Sequence, residues 1–323
     1  MADITTTYLG LELPGPVIVG SSPFTADADK IASLARHGAG AVVLKSIFEE
    51  QIAGEAASLE RYSDYPEAAD YLHRYIGENN LERHLELIAA AKSRVDIPVI
   101  ASINCYSGGD WIEYARRMAD AGADALELNI YLLPTDMNLS SDAIESGYLD
   151  TVSRVTAAVS VPVSVKLGMR FTNIGRIAME VYYRKARGVV MYNRFFEPDI
   201  DVDSMRLVST GSALSHPSEL RNALRTVAMC SSQLPELDIA VSTGVHSGED
   251  AVKALLAGAS AVQVCSTLFL HGLDVIGEIN GYLARWMRTH TFPTVGSFRG
   301  ALSFREYFDK NAYLRVQYMK TFM

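Results

Sequence analysis

Cysteine is scarce in this chain. Its 323 residues include three, Cys105, Cys230 and Cys265, far apart in sequence. An odd, scattered set builds neither a disulfide framework nor a metal-spaced cluster, and it suits a reducing compartment. Positive charge is also short: 29 Lys and Arg stand against 38 Asp and Glu, a net charge of −9. That balance argues against a nucleic-acid surface or a polybasic membrane patch, and leaves room for a local basic pocket for a small anion. No apolar run approaches the ~18 residues a membrane span requires. The start, "MADITTTYLGLELPGPV", lacks a cationic stretch followed by an apolar one, so no secretory leader is expected. These absences predict a cytoplasmic protein without a metal site.

What remains is an ordinary globular composition, 49% hydrophobic and 21% charged. One phrase recurs: a helix, a Gly, then a short apolar strand. It reads "LARHGAGAVVLKS" (34–46), "RMADAGADALELN" (117–129), "KARGVVMYN" (185–193) and "LLAGASAVQVCS" (255–266). The Gly suits the left-handed residue that closes a helix before a short αβ loop. Eight apolar strands follow from the pattern, near 17–21, 41–45, 99–104, 125–129, 163–166, 188–192, 239–242 and 261–264. Amphipathic helical stretches separate them, such as "GGDWIEYARRMADAG" (108–122).

Short, nearly all-apolar strands are those of a buried parallel sheet. Eight strand–helix units predict an α/β protein, a (β/α)8 TIM barrel. A doubly wound open sheet gives the same local pattern and is the alternative. The expectation is one domain over 1–323, with residues 4–13 as a hairpin closing the barrel floor and a C-terminal extension from about 290. Connections longer than the rest follow strands 2, 4 and 6, at 46–79, 130–146 and 194–215. They read either as lids over a site or as solvated excursions.

The C-terminal strand ends are polar: Ser21-Ser22, Lys45-Ser46, Ser102 and Asn104, Asn129, Lys166, Asn193, Ser242-Thr243-Gly244 and Cys265-Ser266. In a barrel these positions face the site. Two lysines and three asparagines there point to a polar, partly anionic small molecule, since burying them unpartnered is costly. The turns after strands 7 and 8 fit a phosphate, which takes backbone N–H donors more than any particular side chain. Ser247 and Asp250 read as a capping box on the helix between those turns.

The chain resembles the dihydroorotate dehydrogenase family of flavin mononucleotide (FMN) barrels over roughly residues 5 to 285. The likeness rests on "PVIVGSSPFT" (16–25), "GAVVLKSI" (40–47), "PVIASIN" (98–104), "AGADALELNI" (121–130), "VPVSVKL" (161–167), "GVVMYN" (188–193) and "SGEDAVKALLAGASAVQVCSTLF" (247–269). The resemblance implies FMN as cofactor and an oxidoreductase acting on CH–CH bonds, dihydroorotate to orotate in pyrimidine biosynthesis. It implies that Ser21 and Ser22 line the flavin ring and that Lys45 and Lys166 face the flavin and ribityl side. Asn104 and Asn129 bond flavin or substrate, Asn80 holds substrate, and Asn193 contacts substrate or flavin. Gly211, in "LVSTGSALS", lies near the phosphate, and Thr243, Gly244, Cys265 and Ser266 cradle it. The soluble classes of this family are dimers or heterotetramers; a homodimer is expected here, and the electron acceptor stays open.

One loop departs from the family pattern. Where the family carries a Cys or Ser base after strand 4, this chain reads "NIYLLPTDMN" (129–138), with Leu132 or Leu133 at that position. Tyr131, Asp136 and Cys105 are the replacement candidates, and Arg194 is a candidate for the lost carboxylate contact. Tyr131, with an ordinary pKa near ~10, suits the acid of a reductive direction better than a base. Two other functions compete: a flavin-free lyase or isomerase with a Schiff base on Lys166 or Lys45, and a flavin-binding homologue without catalysis.

Overall fold

The computed structural model describes residues 2–48, 68–105, 111–130, 132, 135–194, 198–209, 214–306 and 309–320. Eight parallel strands close on themselves: β3 (Val17–Val19), β4 (Ala41–Val43), β6 (Val99–Cys105), β7 (Ala125–Ile130), β8 (Val163–Leu167), β9 (Gly188–Met191), β12 (Asp238–Ser242) and β13 (Ala261–Val264). Each pairs with its neighbour in chain order, β13 pairs with β3, and β4 pairs directly with β6, which the short added strand β5 (Ile47–Phe48) also joins farther along. That ring is a (β/α)8 barrel, and it excludes the open sheet, which would leave two unpaired edges. The strands fall within about two residues of the positions the apolar runs predict.

Alternation along each strand sorts the side chains into two cores. Val17, Val19, Val42, Val99, Ala101, Leu126 and Leu128 point outward and join the helices in the main hydrophobic cluster. Ile18, Ala41, Val43, Ile100, Ala125, Val190, Ala240 and Ala261 point inward and join Tyr8, Leu9 and Leu13. Those last three come from the predicted floor, a hairpin of β1 (Thr6–Tyr8) and β2 (Leu11–Leu13). Leu9 sits against Gly188, where an added Cβ would lie 2.6 Å from its Cδ2. The Leu9 N–H donates to Asp238 at 2.8 Å, and Ser260 Oγ donates to the other carboxylate oxygen at 2.8 Å. The plug is therefore held by both shape and charge-assisted hydrogen bonds.

The recurring Gly behaves as predicted in three of its four copies. Gly38, Gly122 and Gly258 have φ of +94°, +99° and +115° and follow helix ends. In the fourth, Lys185 takes the left-handed conformation (φ +66°), and Gly188 lies within β9 beside Leu9. The close approach of the plug, not the helix end, requires that glycine.

The long connections are more structured than the sequence pattern suggests. Residues 68–79 belong to the helix Ala68–Lys92. Its buried stripe of Leu81, His84, Ile88 and Ala91 has helical spacing, and that anchored face carries the helix back through Gly77 and Asn79-Asn80. Residues 141–146 open the helix Ser141–Ala158, capped by Ser140. The third connection holds a hairpin, β10 (Pro198–Asp201) and β11 (Arg206–Ser209). Its turn is set by Asp201, whose carboxylate accepts from the N–H groups of Asp203 and Ser204, a local geometry that apolar periodicity does not reveal.

Beyond 290, the chain returns to the barrel. Phe292, Val295 and Phe298 pack with Trp286, Leu283 and Leu255. The N–H groups of Gly300 and Leu302 donate to Leu255 and Leu256. The last helix, Lys310–Lys320, leaves Val316, Tyr318 and Met319 exposed. Among the described residues, no helix is long and apolar enough to cross a membrane.

Candidate functional site

Above the apolar plug, the inward positions become polar. Glu127 in the middle of β7 is 1% exposed. Gln263 on β13 donates its amide to Glu127 Oε2 at 2.6 Å, and its carbonyl accepts from Lys166 Nζ at 3.3 Å. Lys166 Nζ also lies 3.7 Å from Glu127 Oε1. The amide thus bridges cation and anion, and three strands that are distant in sequence hold one buried network. The Tyr8 hydroxyl rises toward it from the floor; burial, then the Glu127 charge, pushes its pKa well above the ordinary tyrosine value.

Strand register sets the next layer. Asn104 stands opposite Asn129, and Asn129 opposite Lys166. Asn193, just past β9, donates to Asn129 Oδ1 at 2.7 Å. Asn104 Oδ1 is buried without a hydrogen-bond partner among the described residues. A buried amide oxygen left open suits a donor on a ligand.

The turns after β12 and β13 meet at one cavity of about 180 Å³, whose lining includes Lys166, Asn193, Thr243, Gly244, Cys265 and Ser266. Ser21 and Arg194 also reach it. Thr243 and Gly244 both have positive φ, +76° and +79°. Thr243 is held there by its hydroxyl, which donates to the Tyr192 carbonyl at 3.0 Å. The N–H groups of Gly244, Val245 and Ser266 have no acceptor among the described residues. Such a set of free donors in positive-φ turns suits a phosphate-sized anion. The neighbouring helix Gly248–Ala257 is already closed: Ser247 accepts from Asp250 N, and the Asp250 carboxylate accepts from His246 N and the Ser247 hydroxyl. The capping box is thus present with its carboxylate on the residue before the cap.

The predicted residues separate into groups. Ser21, Lys166, Asn193, Arg194, Thr243, Gly244, Cys265 and Ser266 converge on that cavity. Arg194 pairs with Glu219 at 3.1 Å, so a substrate carboxylate would compete with an existing partner. Ser22 is buried and caps the 3-10 turn Pro23–Thr25 instead of lining the cavity. Burial raises the Cys265 thiol pKa, with Lys166 and Ser22 pulling it the other way. Asp136 is exposed and accepts from the Asn138 backbone and side-chain N–H groups, which ties it to its own turn. Leu132 packs against the main core. Tyr131, Leu133 and Gly211 lie outside the described residues, as does the side chain of Cys105.

Lys45 and Asn80 belong to a second cavity of about 200 Å³, with Ser46, Arg83 and His84. Asn80 reaches it from the helix Ala68–Lys92, not from a loop. A serine chain links the two cavities: Ser21 Oγ to Ser46 Oγ at 3.1 Å, and Ser46 Oγ to Ser102 Oγ at 2.7 Å.

Sequence reasoning did not single out Glu127, Gln263, Arg83 or His84. For the first two a signal existed: a lone Glu in "ALELN" and a lone Gln in "AVQV" interrupt otherwise apolar strands. An inward polar residue in mid-strand must find a partner inside the barrel. Arg83 and His84 carried none, because "ERHLEL" reads as an ordinary solvated helix.

His84 gives a stability test. Burial lowers its pKa to about 4 from the ordinary 6.5. Between those values the unfolded chain binds more protons than the folded one. The native state therefore loses stability as pH falls from about 6.5 toward 4, by up to about 3 kcal/mol, and gains nothing from a further rise above 7. Urea midpoints measured from pH 7 to pH 4.5 should show a steeper decline in the wild type than in His84→Leu. Equal slopes would exclude His84 as the source.

A family model described as dihydroorotate dehydrogenase matches residues 3–287. Among curated proteins, the chain is 28% identical over 309 residues to the catalytic subunit of dihydroorotate dehydrogenase B (NAD(+)) of Thermoplasma acidophilum, covering 93% of this chain and 99% of that protein. It is 27% identical over 330 residues to the chloroplastic dihydropyrimidine dehydrogenase (NADP(+)) of Arabidopsis thaliana, covering 92% and 76%. With the Methanocaldococcus jannaschii catalytic subunit of dihydroorotate dehydrogenase B (NAD(+)), identity is 27% over 282 residues, covering 85% and 90%. The match spans all eight barrel strands and both small turns, and on that ground the chain belongs to the dihydroorotate dehydrogenase family.

Proposed function

We propose that this protein is an FMN-dependent oxidoreductase acting on the CH–CH bond of a dihydropyrimidine-type ring, with dihydroorotate the first substrate to test. One observation carries the reading. A single cavity joins a cation-and-amide side, Lys166 and Asn193, to a side made of free N–H donors at Gly244 and Ser266. The first side suits a polar ring and the second its phosphate. FMN, when bound, supplies the hydride acceptor.

The chain's own residues do the rest. Gly244, Val245 and Ser266 bind the phosphate through their N–H groups. Lys166, fixed by Gln263 and Glu127, places positive charge beside the ring, where reduction builds up negative charge. Asn129 and Asn193, already bonded to each other, orient the ring and the substrate, and Asn104 offers its open oxygen to a donor. For the proton, Asp136 is tied to its own turn and Leu132 has no acidic group. Tyr131 is the proton-transfer candidate that remains in this loop. The same reading makes the protein a cytoplasmic homodimer that passes its electrons to a separate acceptor.

A Schiff-base lyase on Lys166 is disfavoured by its ion pair with Glu127, because a Schiff base needs the free neutral amine. The purified protein should be yellow, and dihydroorotate should bleach it under anaerobic conditions. A yellow protein that saturating dihydroorotate leaves oxidised would remove the pyrimidine substrate from this reading. A colourless protein that borohydride links to a carbonyl compound would replace the reading with the lyase.

A further inference from the structure

Ser215 joins the two small turns from a third element. It lies just before the 3-10 turn Pro217–Glu219, is 8% exposed and lines the same cavity as Lys166 and Gly244. Its N–H donates to Ser266 Oγ at 2.9 Å, in the turn after β13. Its Oγ lies 3.0 Å from His246 Nε2, in the turn after β12. The backbone around His246 is fixed from two sides. The His246 N–H donates to Asp250 Oδ2 at 3.1 Å, and the Val245 carbonyl accepts from the Thr267 hydroxyl. A hydrogen-bonded serine–histidine pair thus shares one cavity with the free N–H groups of Gly244, Val245 and Ser266.

That pair has two states. When Nε2 carries no proton it accepts from the Ser215 hydroxyl, which then has no hydrogen left for the cavity. When Nε2 is protonated it donates to Ser215 Oγ, and the hydroxyl hydrogen is free for another acceptor. A phosphate offers only acceptors, so it selects the second state. Burial holds the His246 pKa below the ordinary histidine value; the Asp250 carboxylate and a hydrogen bond to the Ser215 backbone favour the charged ring, and His271 and His216 oppose it. The cations that line the cavity are already paired, Lys166 with Glu127 and Arg194 with Glu219. A dianion one hydroxyl away from the ring adds a second negative charge to that of Asp250 and tips the balance toward imidazolium.

We propose that Ser215 is a further ligand of the bound phosphate group and that His246 is its positioning residue, taking up a proton from water as the dianion binds. This rests on the proposed function for the flavin that carries the phosphate; the serine–histidine site itself needs only a dianion. The pair makes the cavity select a phosphorylated ligand over its unphosphorylated form, and it ties retention of that ligand to pH. His216 and His271 titrate in the same range, so the role is assigned by substituting His246 and Ser215 alone.

The test dilutes the purified holoprotein and reads free FMN in the ultrafiltrate from pH 8 to pH 6, for the wild type, His246→Leu, His246→Gln and Ser215→Ala. The phosphate itself loses charge near pH ~6 in every protein, so the ratio of dissociation constants carries the result. His246→Leu should stay close to wild type at pH 8 and bind FMN roughly tenfold more weakly at pH 6, the size of one charge-assisted hydrogen bond. His246→Gln, whose amide donates without titrating, should improve on His246→Leu by the same factor at both pH values. Ser215→Ala should match the loss of His246→Leu at pH 6, and the double variant should lose no more than either. Riboflavin, which lacks the phosphate, should bind all of them alike. If His246→Leu does not fold, His246→Gln and Ser215→Ala still give the pH-dependent ratio to wild type. A ratio that stays constant with pH overturns the proposal, as do losses that add in the double variant. A wild type that takes up neither FMN nor riboflavin removes the flavin reading and leaves the site to sulfate, a dianion throughout this range. Sulfate should then raise the thermal midpoint of wild type more than that of Ser215→Ala, and equal rises overturn the site as well.

Discussion

Replacing Lys166 with Met should destabilise the folded protein by about 3–5 kcal/mol, the usual cost of leaving one member of a buried pair behind. Glu127 has no route to water from its place inside the barrel, and Gln263 can give it hydrogen bonds but no charge. The urea midpoint at neutral pH reads the effect. The double variant Glu127→Gln with Lys166→Met should regain most of the loss, because both charges are then gone. Flavin reduction by substrate should stay impaired in that double variant, since the positive charge beside the ring is still missing. A single variant within 1 kcal/mol of wild type, a margin of surface-pair size, would show that the network does not carry the buried charge. Recovery of both stability and reduction in the double variant would show that Lys166 serves the fold alone.

Gly244→Ala should be nearly as damaging and for a different reason. The position needs φ of +79°, and an added Cβ would lie 2.4 Å from the Leu220 N atom. That neighbour is backbone at the start of the helix Leu220–Gln233, so it cannot swing aside as a flexible side chain would. Gly10 provides the control. It has the same φ of +79° with open space around it. Gly10→Ala should cost about 1 kcal/mol from backbone strain alone. Gly244→Ala should cost about 3 kcal/mol or more, as strain and overlap add. It should also lower flavin retention after gel filtration, because the turn supplies free N–H groups to the phosphate. Equal losses of thermal stability in the two variants would show that the contact with Leu220 is harmless. Full flavin retention in Gly244→Ala would remove this turn from the phosphate cradle.

The two substitutions differ in what could be foreseen. Gly244 was legible because a Gly between a strand and a helix is a local signal, and its place after the seventh strand gave it meaning. Lys166 was legible as a polar strand end. Its partners were not, because Glu127 and Gln263 are separated by 136 positions. Two of the candidate site residues show the opposite limit. Asp136 has the right chemistry in the right loop, but its carboxylate is committed to Asn138. Ser22 sits beside Ser21 at a strand end, but its side chain turns to cap the next segment.

The sequence alone determined the eight strands, the floor hairpin, the helices with a clear apolar stripe and the polar strand ends. Each is written in neighbouring residues through a period of two, a period near 3.6, or a glycine at a helix end. Only the tertiary structure decided which polar ends share a cavity, which cations are already paired, and that Lys45 and Arg83 have no ion-pair partner among the described residues. Those facts depend on barrel closure and strand register, which bring together residues that no local pattern connects. Charge acts across space, so its balance at a site is settled only when the chain has folded around it.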